Sequence, residues 1–451
     1  MEIGEQKLLF SGVRGSAVKI LNRVERTDSY LDKLLDAELR SSEINDLDKA
    51  LLTEIVHGVL RWQMKLDWVL NGFFHGNFSK AEVTVKNALR AALYQIMYLD
   101  KVPHHAAVNE AVEFIKRVRG EKAANLVNAV LRNIIRNLDG IHYPDVAIDA
   151  AQYLAVMYSH PLWMVRRWFN RFGYGETEKL LQAHNEKPPL TIRINTMKIG
   201  VDNFAAMLAQ QNVAFNKSRY LERFVKIASL SNLTQSELFK QGYFSVQDES
   251  AGIACQLLHI QHGERVIDLC AAPGGKTTFI GEQLKNAGKV IAVDKYSTRL
   301  ELVKWACQRL GIQNAEFHAA DGIEFSAEPA DKVLLDAPCS GFGVLSKKPD
   351  IKLKREQKDI DELTAIQLKL LDSAARLVRN GGALVYSTCT IEPEENFGAV
   401  RTFLEHHPEF TVDRADQYVS SSLVSPDGYI ETLPHKHGMD GSFAVRLKKS
   451  S

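Results

Sequence analysis

Short apolar, β-branched runs recur through the C-terminal half of the chain, and each is followed by a polar or glycine-containing turn and then by a helical pattern. The runs read RVIDLC, KVIAVD, AEFHAAD, KVLLDAP and ALVYSTC. Regular alternation of strand and helix is typical of an α/β fold with a doubly wound, mostly parallel sheet. We therefore predict such a sheet over residues 236–451. Since ligands bind at the carboxyl ends of the strands in these sheets, functional residues are expected where the runs stop.

Chemically active side chains do follow these runs. In chain order they are Cys270, Asp294, Asp321, Asp336 with Cys339, and Cys389. A cysteine at the end of an apolar run has two possible roles, because a free thiol packs as a small hydrophobe and can also act as a nucleophile. The pattern of the runs alone does not decide between them.

Cysteine content and charge limit the classes of protein to consider. The 451 residues include five cysteines and no CxxC pair, which favours a reducing compartment and predicts neither a disulfide framework nor a metal site. The 56 basic and 55 acidic residues leave a net charge of +1, which neither supports nor excludes a nucleic-acid partner. The N-terminus lacks a signal pattern, and no apolar run reaches about 18 residues. We expect a soluble cytoplasmic protein with no membrane partner.

The N-terminal part has a helical pattern. From residue 1 to about residue 140, apolar residues recur at helical spacing, as in DLDKALLTEIVHGVLRWQ. This predicts an all-α domain over residues 1–140. On this pattern alone, the domain could be a docking, dimerisation or RNA-binding module, or a helical bundle with no site of its own.

The sequence pattern over residues 141–235 predicts a small mixed α/β segment. Arginine and aromatic side chains alternate in it, at Trp163, Arg166, Arg167, Trp168, Phe169 and Arg171. This mixture suits RNA, because aromatic rings stack on bases and arginine pairs with phosphate. The alternative is an ordinary solvated helix face.

The loop DLCAAPGGKTT at residues 268–278 fits neither common nucleotide motif. The P-loop pattern requires glycine where Cys270 stands, and the GxGxxG pattern is absent. Gly274 and Gly275 still permit a close backbone approach, and the helix N-terminus behind them favours a carboxylate. The loop therefore predicts a ligand that lacks a pyrophosphate.

The acids at the next strand ends complete the description of this ligand. Asp294 is placed to accept hydrogen bonds from ribose hydroxyls, and Asp321 to bind the exocyclic amine of a purine. A site for an amino-acid carboxylate, a ribose and an adenine fits S-adenosylmethionine. Each acid taken alone could instead be a helix N-cap.

Taken together, the motifs resemble those of the RNA (cytosine-5) methyltransferases. The resemblance is greatest to the Sun-type (Fmu-like) bacterial enzymes, which methylate 16S ribosomal RNA, the RNA of the small ribosomal subunit. The stretches that carry the resemblance are FSVQDESAG, DLCAAPGGKTT, AVDKYSTRL, LLDAPCSGFG, LVYSTCTIEPEEN and MDGSFAVRL. Residues 1–140 resemble a NusB-type RNA-binding domain. The resemblance implies a Rossmann-like methyltransferase domain, S-adenosylmethionine as cofactor and 16S ribosomal RNA as partner. In MDGSF, Ser442 replaces an aromatic residue that is usual in the family.

The resemblance also implies roles for individual residues. It implies that Asp294 binds the ribose with Arg299 nearby, that Asp321 binds the adenine, and that Asp336 faces both the cofactor and the target base. It further implies that a run of consecutive loop residues contacts the cofactor, namely Cys270, Ala271, Ala272, Pro273, Gly274, Gly275 and Lys276.

Methylation at carbon 5 of cytosine needs an activated ring. A thiolate that adds to carbon 6 makes carbon 5 nucleophilic, an acid hydrogen-bonds the N3 side of the ring, and a base removes the carbon 5 proton before the thiol leaves. The sequence offers Cys389, Asp336 and Cys339 for these roles. Spacing does not assign the two cysteines, and the Pro-Cys nucleophile of DNA methyltransferases would point to Cys339. The resemblance to the RNA family favours Cys389 as nucleophile and Cys339 as the release residue.

The other cysteines have structural interpretations. Cys255 and Cys307 lie in helical apolar patterns and are expected to pack in the core, and Cys270 is expected to be structural within the cofactor loop.

The basic segment KKPDIKLKREQK at residues 347–358 is expected to contact the RNA backbone, the alternative being a solvated helix face.

We expect a monomer that binds no DNA. Two other functions stay open: the same chemistry on transfer RNA, and a non-catalytic RNA-binding or assembly factor.

Overall fold

The computed structural model describes residues 9–27, 29–41, 45–227 and 236–451. The chain forms two compact units. The first, here called the helical unit, comprises Met1–Glu186 and Leu345–Arg355, and the second, called the sheet unit, comprises Lys187–Val344 and Glu356–Ser451. Within the described ranges, no helix is long and apolar enough to cross a membrane.

The helical unit confirms the all-α prediction for the N-terminal part. Its long helices are α1 (Val13–Arg26), α2 (Leu31–Ser41), α3 (Asp46–Phe73), α4 (Val83–Tyr98), α5 (His104–Arg119), α6 (Glu121–Arg136), α7 (Ala150–Met157) and α8 (Leu162–Asn185). Shorter helical turns lie at Phe78–Lys80, Leu138–Gly140 and Ile351–Lys354. Local capping explains several of the helix ends: the Asn45 side chain accepts a hydrogen bond from the Asp48 amide at the start of α3.

Helix α4 is buried along most of its length. It carries Arg90, which is 4% exposed and pairs with Glu25 at 2.8 Å and with Asp67 at 2.6 Å. A buried charge is costly unless it is paired and hydrogen-bonded, so these carboxylates allow arginine inside the bundle.

Helix α8 kinks at Gly173, where φ is 75°. Trp168, before the kink, is 1% exposed and packs against the rings of His160 and His184. The sequence predicts Trp168 as part of an RNA-stacking surface, and this prediction is wrong for its side chain, because the ring lies in the core of the helical unit.

The segment Leu345–Arg355 packs within the helical unit. Asp350 accepts a hydrogen bond from the Leu31 amide at 3.2 Å, and Arg61 donates to the Ser346 carbonyl at 2.8 Å. Lys352 is 2% exposed and donates to the Arg61 carbonyl at 2.8 Å. Lys352 is therefore neither on a solvated helix face nor available to an RNA backbone, in contrast to what the sequence predicts for this basic segment.

The sheet unit begins with a small antiparallel sheet. Its strands are β1 (Leu190–Ile194), β2 (Phe215–Lys217), β3 (Phe224–Ile227) and β4 (Phe244–Val246), in the order β2-β3-β1-β4. Helix α9 (Val201–Gln210) packs on this sheet through Phe204 and Leu208, and the Glu237–Lys240 turn contributes Leu238 and Phe239 to the same core. The predicted segment boundary at residue 235 lies outside the described residues.

A larger sheet forms the centre of the sheet unit and confirms the predicted α/β class. Its strands are β5 (Arg265–Leu269), β6 (Lys289–Asp294), β7 (Ala315–Ala319), β8 (Ala330–Asp336), β9 (Val378–Thr388), β10 (Phe410–Asp413), β11 (Ile430–Thr432) and β12 (Ser442–Lys449). The strand order is β10-β12-β9-β8-β5-β6-β7, with β11 paired to β12. Strands β5 to β9 pair in parallel, whereas β12 runs antiparallel to β9 and β10 runs antiparallel to β12.

Helices cover the larger sheet. They are α10 (Glu249–Gln256), α11 (Gly275–Leu284), α12 (Ser297–Leu310), α13 (Lys358–Leu377) and α14 (Ala399–His406). Shorter helical turns occur at Ala415–Gln417, Ser421–Leu423, Glu394–Gly398 and Pro434–His437. The strand order reverses at β5, which lies between β8 and β6, and such a reversal opens a crevice at the carboxyl ends of the strands.

Candidate active site

A cavity of about 480 Å³ lies at the carboxyl ends of the central strands. Most of the sequence-predicted site residues line it, namely Cys270, Ala272, Asp294, Arg299, Asp321, Asp336, Cys339 and Cys389. The predicted cofactor-loop residues that are not in its lining are Ala271, Pro273, Gly274, Gly275 and Lys276. The fold thus brings the acids and both loop cysteines to one cavity, whereas five residues of the glycine loop are not part of its lining.

Gly274 shapes the loop between β5 and α11. It is the N-cap of α11 and has a φ of 104°, a conformation that side-chain-bearing residues rarely adopt. A Cβ atom there would lie 3.0 Å from the Cα atom of Val303 on α12. Glycine therefore serves both the turn and the close packing of the loop against α12.

Asp294 links this loop to the end of β6. Its carboxylate accepts hydrogen bonds from the amides of Ala272 and Tyr296, each at 3.1 Å. Arg299 donates to the Ala272 carbonyl at 3.0 Å and lies 3.9 Å from Asp294. The bond from the Tyr296 amide is a local contact of the kind expected if Asp294 served only as a helix cap. Asp294 also lines the cavity, as expected of a ligand-binding residue.

Asp321 follows β7 on the other side of the cavity. It accepts hydrogen bonds from the Lys295 ammonium group at 2.9 Å and from the Ile323 amide at 3.0 Å. These bonds, the one from Lys295 above all, lower the pKa of Asp321. The carboxylate is therefore an ionised acceptor at neutral pH.

Lys276 and Asp336 form an ion pair at the edge of the cavity. The Lys276 Nζ atom lies 2.6 Å from Asp336 Oδ2, and Ser387 donates to Asp336 Oδ1 at 3.0 Å. Burial alone would lower the pKa of Lys276, but the pairing with Asp336 outweighs burial and raises it. Lys276 is therefore positively charged at neutral pH, and its ion pair with Asp336 holds that charge beside the cavity.

The two loop cysteines are in contact. The Sγ atoms of Cys339 and Cys389 lie 3.3 Å apart, because β8 and β9 are parallel neighbours and each cysteine follows the end of its strand. Cys389 is exposed and Cys339 is half-buried. The hydrogen bond to Cys389 and burial together raise the pKa of Cys339 well above its ordinary value. Cys339 therefore keeps its proton at neutral pH while it is in contact with Cys389.

The remaining cysteines differ from this pair. Cys255 and Cys307 are buried, and burial raises the pKa of Cys307 to about 12. Cys270 lines the cavity, and burial raises its pKa to about 12 as well. These thiols stay protonated at neutral pH and are poor nucleophiles.

Sequence reasoning missed Glu395, whose buried carboxylate contacts the loop that carries Cys339. It accepts hydrogen bonds from the Ser340 amide at 2.8 Å and from the Gln367 side chain at 3.0 Å. The residue lies within the LVYSTCTIEPEEN stretch, but that position alone does not distinguish a buried carboxylate from a solvated one.

A close backbone approach was also missed. The Gly343 amide donates to the Cys389 carbonyl at 3.0 Å, and the Gly441 amide donates to the Gly343 carbonyl at 2.9 Å. A Cβ atom on Gly343 would lie 1.8 Å from the Gly441 carbonyl oxygen. The MDGSF segment thereby supports the loop that contacts Cys389.

Family models match most of the chain. The NusB family matches residues 11–136, the RsmF/B-like methyltransferase ferredoxin-like domain matches residues 160–234, and the family described as 16S rRNA methyltransferase RsmB/F matches residues 255–448. The helical first part is thus NusB-like, as the sequence predicts. The ferredoxin-like character of the middle segment is not predicted beyond its mixed α/β class.

Relatives match over nearly the full length. The Bacillus subtilis (strain 168) protein named "Probable ribosomal RNA small subunit methyltransferase B" is 37% identical over 447 residues, which cover 97% of this chain and 99% of the relative. A Synechocystis protein of the same name is 33% identical over 446 residues, with the same coverage. The solved structure of PH0851 has a TM-score of 0.82 at 29% identity and covers 97% of this chain and 98% of that one. The family matches and the nearly full-length relatives mean that this chain belongs to the RsmB/F family of 16S ribosomal RNA methyltransferases.

Proposed function

We propose that the protein transfers a methyl group from S-adenosylmethionine to carbon 5 of a cytosine in small-subunit ribosomal RNA, through a covalent bond between Cys389 and carbon 6. The observation that carries the proposal is the 3.3 Å separation of the Cys339 and Cys389 sulfurs in the cavity that also holds Asp294 and Asp321. The names of the relatives, which are small-subunit ribosomal RNA methyltransferases, support the substrate.

The lining of the cavity fits S-adenosylmethionine. Asp294 offers a carboxylate for ribose hydroxyls, and Asp321 offers one for the adenine amine. The amino terminus of α11, behind Gly274, favours the carboxylate of the methionine part. The cofactor, when bound, supplies a methyl group on a positively charged sulfur.

The two cysteines divide the covalent steps between them. The Cys389 thiolate adds to carbon 6, and the electron pair of the carbon 5–carbon 6 double bond moves to carbon 5, which takes the methyl group. Once Cys389 is bonded to carbon 6, the hydrogen bond between the two thiols that raises the pKa of Cys339 is lost. Cys339 then gives its proton to solvent, and the resulting thiolate accepts the carbon 5 proton. The double bond re-forms, and the bond between carbon 6 and Cys389 breaks to return the thiolate. The greater exposure of Cys389 and the raised pKa of Cys339 support this division.

Asp336 and Lys276 act on the pyrimidine ring. In this proposal the Asp336 carboxylate accepts a hydrogen bond from the exocyclic amine beside N3 of the cytosine, and the Lys276 ammonium group places positive charge where negative charge develops in the adduct. Ser387 fixes the second oxygen of the carboxylate and so orients it.

RNA recognition is assigned to the parts outside the catalytic domain. We propose that residues 1–140 and 141–235 bind RNA, that residues 236–451 catalyse, and that the chain works as a cytoplasmic monomer without a DNA partner. The NusB family match to residues 11–136 supports the first of these assignments. A target base inside folded RNA must be unstacked, at a cost of a few kcal/mol, and RNA binding elsewhere on the chain can offset it.

The test is a denaturing gel of the full chain with small-subunit ribosomal RNA and S-adenosylmethionine. Cys339→Ala is expected to accumulate a covalent protein–RNA band, because the adduct forms and is not released. Cys389→Ala is expected to give none. Cys307→Ala, which removes a buried thiol outside the cavity, is the control and should turn over without a band.

The reverse pattern would exchange the two cysteine roles. No band from either variant, together with no methyl transfer by the unmodified chain, would overturn the proposal for this RNA. The same gel with transfer RNA then separates an enzyme that acts on another RNA from a non-catalytic RNA-binding factor.

A further inference from the structure

The two loops that carry the cysteines must be held in position by contacts with other parts of the chain. The Cys339 loop (residues 337–344) and the Cys389 loop (residues 389–393) both lie beyond the ends of their strands. The proposed reaction requires one sulfur at carbon 6 and the other at the proton on the adjacent carbon 5. Small shifts of either loop would therefore separate a thiol from its target atom.

Glu395 holds both neighbours of Cys339. Its carboxylate accepts hydrogen bonds from the Ser340 amide at 2.8 Å and from the Ser340 hydroxyl at 2.5 Å. The Gln367 amide group donates to Glu395 at 3.0 Å and also to the Pro338 carbonyl at 2.9 Å. The residues directly before and after Cys339 are thus tied to one carboxylate.

The same network reaches the neighbours of Cys389. The Ser340 hydroxyl lies 2.7 Å from the Thr390 hydroxyl. Asn396, next to Glu395, accepts from the Thr388 hydroxyl at 2.6 Å and donates to the Thr390 carbonyl at 3.1 Å. Residues on both sides of each cysteine therefore connect to the pair Glu395–Asn396.

Burial makes this arrangement specific. Glu395 and Gln367 are 0% exposed, and Ser340 is 1% exposed. Breaking one bond leaves a buried donor or acceptor without a partner, which is unfavourable where water cannot replace it. The Cys389 loop has its own support from the Asn396 side chain, which holds Thr388 and Thr390. The Glu395 carboxylate instead accepts from Ser340 and from the Gln367 amide group that also holds Pro338. Loss of the carboxylate should loosen the Cys339 loop first.

We propose that Glu395 is a positioning residue that keeps the Cys339 thiol within reach of the carbon 5 proton while Cys389 is bonded to carbon 6. This inference rests on the proposed function above. It assigns the release step, and not the formation of the adduct, to the buried carboxylate.

The experiment follows adduct formation and release separately in full-length variants with small-subunit ribosomal RNA and S-adenosylmethionine. Glu395→Ala should form the covalent band and release it about 100-fold more slowly than the unmodified chain, as expected for a displacement of about 1 Å. Glu395→Gln is the matched variant: its carbonyl oxygen can still accept from the Ser340 amide and Gln367, and its amide can donate to the Ser340 hydroxyl. It should release product at a rate close to that of the unmodified chain.

Ser340→Ala is a second test of the same network, which can still be measured if Glu395→Ala does not fold. It removes the hydroxyl that links Glu395 to Thr390 and keeps the amide bond, so a smaller slowing of release is expected. Circular dichroism of each variant gives the folded fraction to which rates are normalised. A merely structural role would lower activity in proportion to that fraction, with no accumulated band.

The outcomes separate this inference from the proposed function. A band with Cys339→Ala but normal release by both Glu395→Ala and Ser340→Ala overturns the role of Glu395 alone. So does a loss of activity in these variants without a band. Absence of a band with Cys339→Ala overturns the covalent mechanism, and the role of Glu395 falls with it.

Discussion

The Lys276 ammonium group lies 2.6 Å from the Asp336 carboxylate, and the two residues lie near the carboxyl ends of two different strands of the larger sheet. Lys276 is in the first turn of α11, after β5, and Asp336 is the last residue of β8. The pair exists because β5 and β8 are adjacent parallel strands, so both carboxyl ends lie at the same edge of the sheet. Each residue alone would be a partly buried charge without a partner, and that is the unfavourable case that the pairing avoids.

Lys276→Met should therefore reduce methyl transfer strongly while the chain still folds. The substitution keeps an unbranched side chain of similar length but removes the positive charge that pairs with Asp336. A fall of about 100-fold or more is expected in single-turnover methyl transfer, because removing one preorganised group that stabilises developing charge typically costs that much in rate. Lys304→Met, at an exposed position on α12, is the control and should leave the rate unchanged. Equal activity of the two variants would mean that the ion pair has no part in the reaction.

Mild oxidation should join Cys339 and Cys389 in one intramolecular disulfide and stop methyl transfer. The sulfurs are 3.3 Å apart and Cys389 is exposed, so diamide can accept the two hydrogens that the thiols lose. Peptide mapping by mass spectrometry identifies the linked pair, and dithiothreitol should restore activity.

Cys339→Ala should lack this disulfide and serves as the control for the oxidation. A disulfide between Cys270 and either residue instead would contradict the arrangement of the thiols in the cavity.

Gly343→Ala should destabilise the Cys389 loop. The added methyl group would lie 1.8 Å from the Gly441 carbonyl oxygen, so the backbone must move and the Gly343–Cys389 hydrogen bond must lengthen. Overpacking of this kind costs about 1–3 kcal/mol, and thermal unfolding should report it as a lower midpoint. Gly200→Ala is the control in the same unit, because a Cβ atom there meets nothing within 4 Å. A midpoint for Gly343→Ala equal to that of the control would refute the close approach.

Stability of the chain without ligand should fall as pH rises through the acidic range. Burial raises the pKa of Asp268 from 3.8 to about 7. Between these values the folded chain keeps a proton that the unfolded chain has lost, so the free energy of unfolding decreases with pH and levels off above about pH 7. Urea denaturation at about pH 5 and about pH 8 measures the difference.

Asp268→Asn should reduce this pH dependence. The amide oxygen can still accept the hydrogen bond that Thr277 donates at 2.6 Å, and the group no longer titrates. Asp361→Asn, at an exposed position on α13, is the comparison and should keep the slope of the unmodified chain. A slope that survives Asp268→Asn would assign the dependence to other groups.

Much of the fold was readable from local patterns. The helical spacing over residues 1–140 and the strand–turn–helix alternation over residues 236–451 predict the classes that the structure confirms, because periodicity reflects which face of each element is buried. The position of Cys389 just after an apolar run likewise predicts its place at the end of β9.

Local patterns failed where a side chain's environment depends on distant residues. Lys352 is read as a surface charge and is buried, and Trp168 is read as a stacking platform and is in the core. Composition cannot separate these cases, since a basic or aromatic residue in a polar stretch has the same neighbours in sequence whichever way it faces.

Local sequence patterns predicted the classes of element and the residues at the ends of the strands. Three contacts follow only from the folded chain: Cys339 touches Cys389, Lys276 pairs with Asp336, and the Glu395 carboxylate supports the Cys339 loop. The physical reason is the order of the strands. Contacts between loops depend on which strands are neighbours in the sheet, and that order is set by burial and hydrogen bonding across the whole chain.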